Sequence, residues 1–372
     1  HTLRVALEVC LGRCTVRGAE ARLAVIERQL TAAGRQGAAL RVRLVLLALL
    51  ERCGSYERIA PAVPEPAGYN RRGAAAGLLI SLINWRYGQY LAREPSARAM
   101  RTVAATAACL RGRGTGDLVE AGILVLARHG CLRSPSGQAL VRQAGLIPEA
   151  GRNLEPVVRT AIEIGGWYQR IESWHEAAEQ MARALRVANV SQDPLLSARA
   201  HAAVAELLYR TTRWRDAERA VGRSVAALSE ARRAARCSGL GREVGTRLTS
   251  LDGLLALERG AMGHARDCFE QLQESSWPYH DPTLAGLFRA RLLVRRQRGP
   301  EAVEVLSATL DHVRGRFVPA QIELALELAH IARRTGAAMP RDKMSAAREA
   351  AASCGMHVHA RRLSLLSRAN SP

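Results

Sequence analysis

The chain has 372 residues, of which 48% are apolar, 24% charged and 4% aromatic, and its formal net charge is +20. Ala, Leu and Arg predominate, and these residues favour helix over strand, so the composition argues against a strand-rich fold. No segment approaches the roughly 18 consecutive apolar residues of a membrane-spanning helix. We therefore expect a cytoplasmic protein with no membrane partner.

Residues 1–150 show helical patterns interrupted by loops. Apolar residues recur every three or four positions in 22–34, 38–53 and 74–94, which places them on one face of a helix. Segments rich in Pro, Gly or Ser break these patterns, at 61–73, 111–117 and 133–137. The sequence therefore predicts an irregular helical region over 1–150, built from degenerate repeats.

An aromatic cluster lies within this first region. Trp85, Arg86 and Tyr87 are consecutive, and such a group can stack on a planar ligand or anchor a peptide. The alternative is a helix end whose long side chains lie along apolar surface with their polar tips in water. We include these three residues among the partner-binding candidates.

Residues 155–188 contain two helical runs separated by a short polar break. In the first run Gly165 is followed three positions later by Tyr168, and in the second Trp174 is followed three positions later by Ala177. Small residues at such positions let two antiparallel helices approach closely, and the large ones fill the space toward the next pair. The segment therefore predicts a helical hairpin.

This hairpin resembles the tetratricopeptide repeat (TPR), in which a small and an aromatic residue mark the first helix and an aromatic and a small residue open the second. Residues 197–231 repeat the pattern, and weaker copies follow to about residue 354. The small residues of successive second helices are 40, 48 and 37 residues apart, against about 34 in a regular array. They are Ala177, Ala217, Ala265 and Ala302. The longer spacing resembles the helical sensor regions of large bacterial transcription regulators.

The resemblance implies an all-α, right-handed superhelical solenoid of antiparallel helix pairs. It places TPR-like repeats at 151–354 and a C-terminal capping helix or tail at 355–372. It also implies that the first helix of each pair lines a concave groove for an extended peptide, a helix or a small effector. The groove candidates by this carry-over are Arg159, Glu163, Arg199 and Arg289. The alternative for each is a solvated helix face.

The positive charge is almost entirely arginine, since Lys343 is the one lysine. A basic surface attracts nucleic acid, but a GC-rich genome replaces Lys by Arg without any selection for binding. A stripe of arginines along the groove would favour nucleic acid, whereas a mixed or apolar groove would favour a peptide or effector. Nucleic acid is therefore our second choice of partner.

Motifs for catalysis are missing from the sequence, which has no G-x-S-x-G, H-E-x-x-H or C-x-x-C. Cys354, His357 and His359 are close in sequence, but a structural zinc site requires four ligands at defined spacing. We expect no enzyme activity, no cofactor and no metal. The predicted function is a regulatory or scaffold module that binds a protein, peptide or small effector, within a bacterial transcription-regulatory or signalling protein.

Overall fold

A computed structural model describes residues 8, 15–53, 55, 58–63, 116–149, 154–235, 239–273, 282–314 and 317–368. Every regular element in these ranges is helical. None of the described helices is both long and apolar enough to cross a membrane.

The described helices before residue 150 are α1 (Val16–Ala32), α2 (Gln36–Arg52), α3 (Ile59–Ala62), α4 (Gly116–Arg128) and α5 (Pro135–Gly145). The later ones follow as pairs: α6 (Glu155–Arg170) with α7 (Trp174–Ser191), α8 (Pro194–Arg210) with α9 (Trp214–Ala235), α10 (Arg242–Arg259) with α11 (Met262–Gln273), α12 (Thr283–Arg295) with α13 (Gly299–Val313), and α14 (Val318–Thr335) with α15 (Arg341–Ser353). A final helix, α16 (His357–Arg368), occupies the predicted C-terminal capping segment.

The helices form two layers. The first helices α4, α6, α8, α10, α12, α14 and α16 each contact the next in this series, and the second helices pack outside them. Helix α14 also contacts α4 and α6, so the inner layer curves back toward its first helices. The predicted all-α solenoid of antiparallel helix pairs is confirmed.

The turn inside four of the five pairs has the same backbone geometry. Each of these turns has one residue with positive φ, between 60° and 75°, and these residues are Glu172, Thr212, Gly260 and Gln297. Each of these turn residues lies five residues before the small residue of the following helix. The turn residues are therefore separated by the same 40, 48 and 37 residues as the small residues. The amide after each positive-φ residue donates to a carbonyl in the last turn of the preceding helix, as Ser173 does to Tyr168 at 3.0 Å. The residue with positive φ therefore marks the same position in each of these repeats.

Two glycines show why small residues recur on the first helices. A Cβ on Gly165 would lie 2.9 Å from Met181 Cε and 3.4 Å from the Ala177 carbonyl oxygen. A Cβ on Gly253 would lie 2.4 Å from Cζ of Phe288, which is fully buried. The close helix approach expected from the sequence is therefore present within the α6–α7 pair, and a similar approach brings α10 against α12.

Residues on both sides of position 150 share a core. One apolar cluster joins Val119 and Ile123 of α4 to Ile164 and Trp167 of α6. The end of α2 also reaches the later helices, where Arg52 pairs with Asp193 at 2.7 Å. The division at residue 150 stays a prediction, but the described parts on either side pack together.

Candidate functional site

A cavity of about 240 Å³ opens on the inner layer. Its walls come from the first helices α4, α6, α8, α10 and α12, with Glu51 of α2 and Phe317 before α14. Neither histidine nor cysteine occurs among the described residues that line it. The cavity therefore occupies the surface on which the TPR resemblance placed the partner groove.

Three of the predicted partner-binding residues line this cavity, namely Arg159, Glu163 and Arg199. Arg289 does not, because it lies over the Phe269 ring at 5.8 Å and donates to the Leu272 carbonyl at 3.2 Å. Trp85, Arg86 and Tyr87 lie outside the described residues. Their role as partner-binding residues stays a prediction.

Arg159 and Arg199 belong to one buried charge network. Arg159 Nε lies 2.9 Å from Glu120, and its Nη1 lies 3.3 Å from Glu51. Arg199 contacts Glu243 at 2.8 Å and Glu155 at 3.0 Å. Burial alone would lower the pKa of Arg199, but these carboxylates outweigh it and raise that pKa well above its usual range. Both guanidinium groups are therefore held by carboxylates of the chain.

A second network surrounds Glu206 of α8. Its carboxylate accepts from Arg247 of α10 at 2.9 Å and pairs with Arg210 at 2.8 Å. Arg210 continues to Glu323 of α14 at 2.6 Å, which Arg170 approaches at 3.6 Å. Burial opposes the charge of Glu206, but Arg247 and Arg210 hold its pKa well below the usual range. The cavity walls are thus of mixed and largely paired charge.

Glu163 differs from the other acidic residues of the cavity. It is half-buried on α6, and within the described part of the chain it makes no hydrogen bond or ion pair. Gly166, on the next turn of α6, also lines the cavity, and a Cβ there would meet no atom within 4 Å. Glu163 therefore presents a carboxylate next to open space.

Several residues that line the cavity were not predicted from the sequence. Arg247 lies thirteen residues before Gly260, the same distance that separates Arg159 from Glu172 and Arg199 from Thr212. The repeat register therefore contained a signal for Arg247. No comparable pattern in the sequence indicated Glu51, which lies on α2, more than 100 residues before Arg159.

The Cys and His residues singled out near the C-terminus do not come together. Cys354 donates to the His129 carbonyl at 3.4 Å, and His359 Nε2 lies 3.9 Å from Glu172. Donor atoms do converge elsewhere in the described residues, at Asp252, His264 and Cys268, each within 4.8 Å of the others.

The fold defines the chain as a TPR-like helical-repeat solenoid. No protein-family model and no curated protein matches its sequence. Among solved structures, the apo form of RapI is similar, with 13% identity, 97% of each chain covered and a TM-score of 0.52. A Rap protein complexed with competence and sporulation factor is 13% identical over 88% of this chain and 99% of that one, with a TM-score of 0.44. At this identity the RapI likeness concerns the fold alone.

Proposed function

We propose that the chain is a non-catalytic regulatory or scaffold module that binds a peptide, a segment of a protein or a small effector in its inner cavity. We place it within a bacterial transcription-regulatory or signalling protein. The observation that carries the proposal is Glu163, a half-buried carboxylate in the cavity wall with no hydrogen-bond or ion-pair partner among the described residues. Its charge suits a ligand with a basic group.

The size and chemistry of the cavity support this class of ligand. Its volume of about 240 Å³ is somewhat below the roughly 300–1,000 Å³ typical of sites for drug-sized molecules. It suits one or two side chains of a peptide, or a small effector.

The charge pairing weighs against the nucleic-acid alternative. Affinity for a phosphate backbone depends on Lys and Arg side chains that neutralise phosphates. Arg159, Arg199 and Arg247 are instead bound to carboxylates of neighbouring helices. A mixed groove of this kind favours a peptide or effector over nucleic acid.

A peptide library tests the charge preference of the cavity. Fluorescein-labelled hexapeptide pools, each fixing Lys, Arg, Leu or Glu at one position, are titrated into the protein while anisotropy is recorded. We expect Lys or Arg pools to bind best. Glu163→Gln should weaken their binding by about tenfold or more, because a hydrogen bond to a charged group contributes roughly 1.5–3 kcal/mol.

Glu179→Gln is the matched control. Glu179 lies on α7, its side chain is 64% exposed, and its one described ion pair is to His175. This variant should bind basic pools like the wild type. Equal selection of Glu and Lys pools, or equal loss in the two variants, would refute the proposed role of Glu163.

A further inference from the structure

Three donor atoms converge between α10 and α11, away from the cavity. Asp252 lies on α10, while His264 and Cys268 lie one helical turn apart on α11. His264 Nε2 lies 2.8 Å from Asp252 Oδ2, and Cys268 Sγ lies 3.8 Å from His264 Nε2 and 4.0 Å from Asp252 Oδ2. A carboxylate, an imidazole and a thiol thus face one common point.

The separations suit a single tetrahedral metal ion. Zinc binds carboxylate oxygen and imidazole nitrogen at about 2.0–2.2 Å and thiolate sulfur at about 2.3 Å, which places tetrahedral donors roughly 3.4–3.6 Å apart. Of the observed distances, 2.8 Å lies below that range, and 3.8 and 4.0 Å lie slightly above it. Small rotations of the half-buried Asp252 side chain and the exposed His264 side chain would bring all three donors to bonding distance.

The geometry also distinguishes chelation from a nucleophilic triad. In a nucleophile–histidine–carboxylate triad, the two ring nitrogens of the histidine face different partners. Here the same atom, His264 Nε2, faces both Cys268 and Asp252. The three donor atoms therefore lie close to one another, as the ligands of a shared metal ion do, and no relay runs from carboxylate to thiol through the two ring nitrogens.

We propose that Asp252, His264 and Cys268 bind one thiophilic divalent transition-metal ion, with Zn²⁺ the best match to this mixed donor set. Cys268 is buried, whereas the side chains of Asp252 and His264 are 35% and 51% exposed. The ion therefore enters from solvent and retains a fourth position for water or for a ligand from a partner. On binding, the thiol proton passes to solvent. The ion ties α10 to α11, because Asp252 lies on α10 whereas His264 and Cys268 lie on α11.

Cobalt(II) is the probe, because it occupies zinc-type sites and its thiolate complexes absorb in the near ultraviolet. Titrating cobalt chloride into the reduced protein should produce a charge-transfer band that saturates at one ion per chain and disappears when excess Zn²⁺ is added. Cys268→Ser should abolish the band. His264→Ala and Asp252→Asn should each weaken cobalt affinity by at least about tenfold.

His175→Ala is the matched control, since His175 is an exposed histidine in the first turn of α7 with a carboxylate one turn away. It should leave the cobalt titration unchanged. Circular dichroism of each variant separates loss of metal from loss of fold. No band in the wild type, or a band that persists in Cys268→Ser, would show that the cluster is only a surface ion pair beside a buried thiol.

Discussion

At the scale of single residues, the turns within the helix pairs show where the chain tolerates strain. Thr212 has φ of 60° and Gln297 has φ of 61°, a region that side chains with a Cβ rarely adopt. Glycine occupies the equivalent position at Gly260. A non-glycine residue costs roughly 1–2 kcal/mol in the left-handed conformation, so these turns are strained at Thr212 and Gln297.

Thr212→Gly should therefore stabilise the protein. We expect the free energy of unfolding to rise by about 1 kcal/mol, because the removal of Cβ relieves the left-handed strain and exceeds the entropy that glycine loses on folding. Urea denaturation followed by circular dichroism measures the change. Thr211→Gly is the control, since Thr211 has φ of −89° and its hydroxyl donates to the Leu207 carbonyl at 2.9 Å. That variant should destabilise the protein, and stabilisation by both would contradict the strain argument.

Some of the residues that line the cavity could be predicted from the sequence. Arg159 and Arg199 were predicted from their place on the first helices, and the repeat register puts both thirteen residues before a turn residue. Arg289 lies eight residues, not thirteen, before the turn residue Gln297. Its side chain therefore faces α11 and not the cavity. The direction of a helical side chain follows its register within the repeat, and residue type alone did not reveal it.

At the scale of elements, buried ion pairs connect the first helices to one another. Glu206 joins α8 to α10 through Arg247, and Arg210 joins α8 to α14 through Glu323. Arg291 of α12 extends the pattern to Glu327 of α14 at 2.7 Å and to the Tyr209 hydroxyl, which accepts at 2.7 Å. The charged side chains of the inner layer thus form ion pairs that connect one repeat to another.

Glu206 makes this pairing measurable through pH. Its pKa is depressed in the folded state relative to about 4.3 in the unfolded chain, so its stabilisation is complete above the unfolded pKa and is lost as the pH falls toward the folded one. Glu206→Gln should destabilise the protein by about 3 kcal/mol at neutral pH, because it breaks a buried pair. As the pH falls below about 4, the difference in unfolding free energy between wild type and variant should shrink, and it should vanish only below the folded pKa of Glu206.

The control for this experiment is Glu270→Gln. Glu270 pairs with Arg266 on the outside of α11, where its side chain is 58% exposed. An exposed pair contributes about 0–1 kcal/mol, so the neutral-pH stability should hardly change. If Glu206→Gln kept the full wild-type loss of stability at acid pH, another carboxylate would be responsible for it.

The helix pairs themselves were predictable, because the small residues that allow close packing recur beside each turn. Gly165, Ala177 and Gly253 all lie at close helix contacts. The cluster of Asp252, His264 and Cys268 was not predicted. The sequence does show that His264 and Cys268 are one helical turn apart. Asp252 joins them only because α10 packs on α11, which the sequence does not show.

At the scale of the whole molecule, the curvature of the inner layer creates the cavity. Helix α14 meets α4 and α6, and the end of α2 contributes Glu51 to the same space. Curvature of a solenoid follows from small rotations between repeats. No sequence pattern encodes those rotations directly, so the sequence predicted a groove, and the structure shows how far it closes.

The measurement that tests the central claim most directly is peptide binding to a protein whose cavity has been filled. Gly166→Leu places a side chain in the cavity, and the absence of any atom within 4 Å of its Cβ predicts an intact fold. Gly222→Leu, on the exposed side of α9 with equally open surroundings, is the control. By anisotropy with the best basic hexapeptide, we expect Gly166→Leu to lose binding and Gly222→Leu to retain it. Equal binding by the two variants would place the ligand elsewhere and contradict the account.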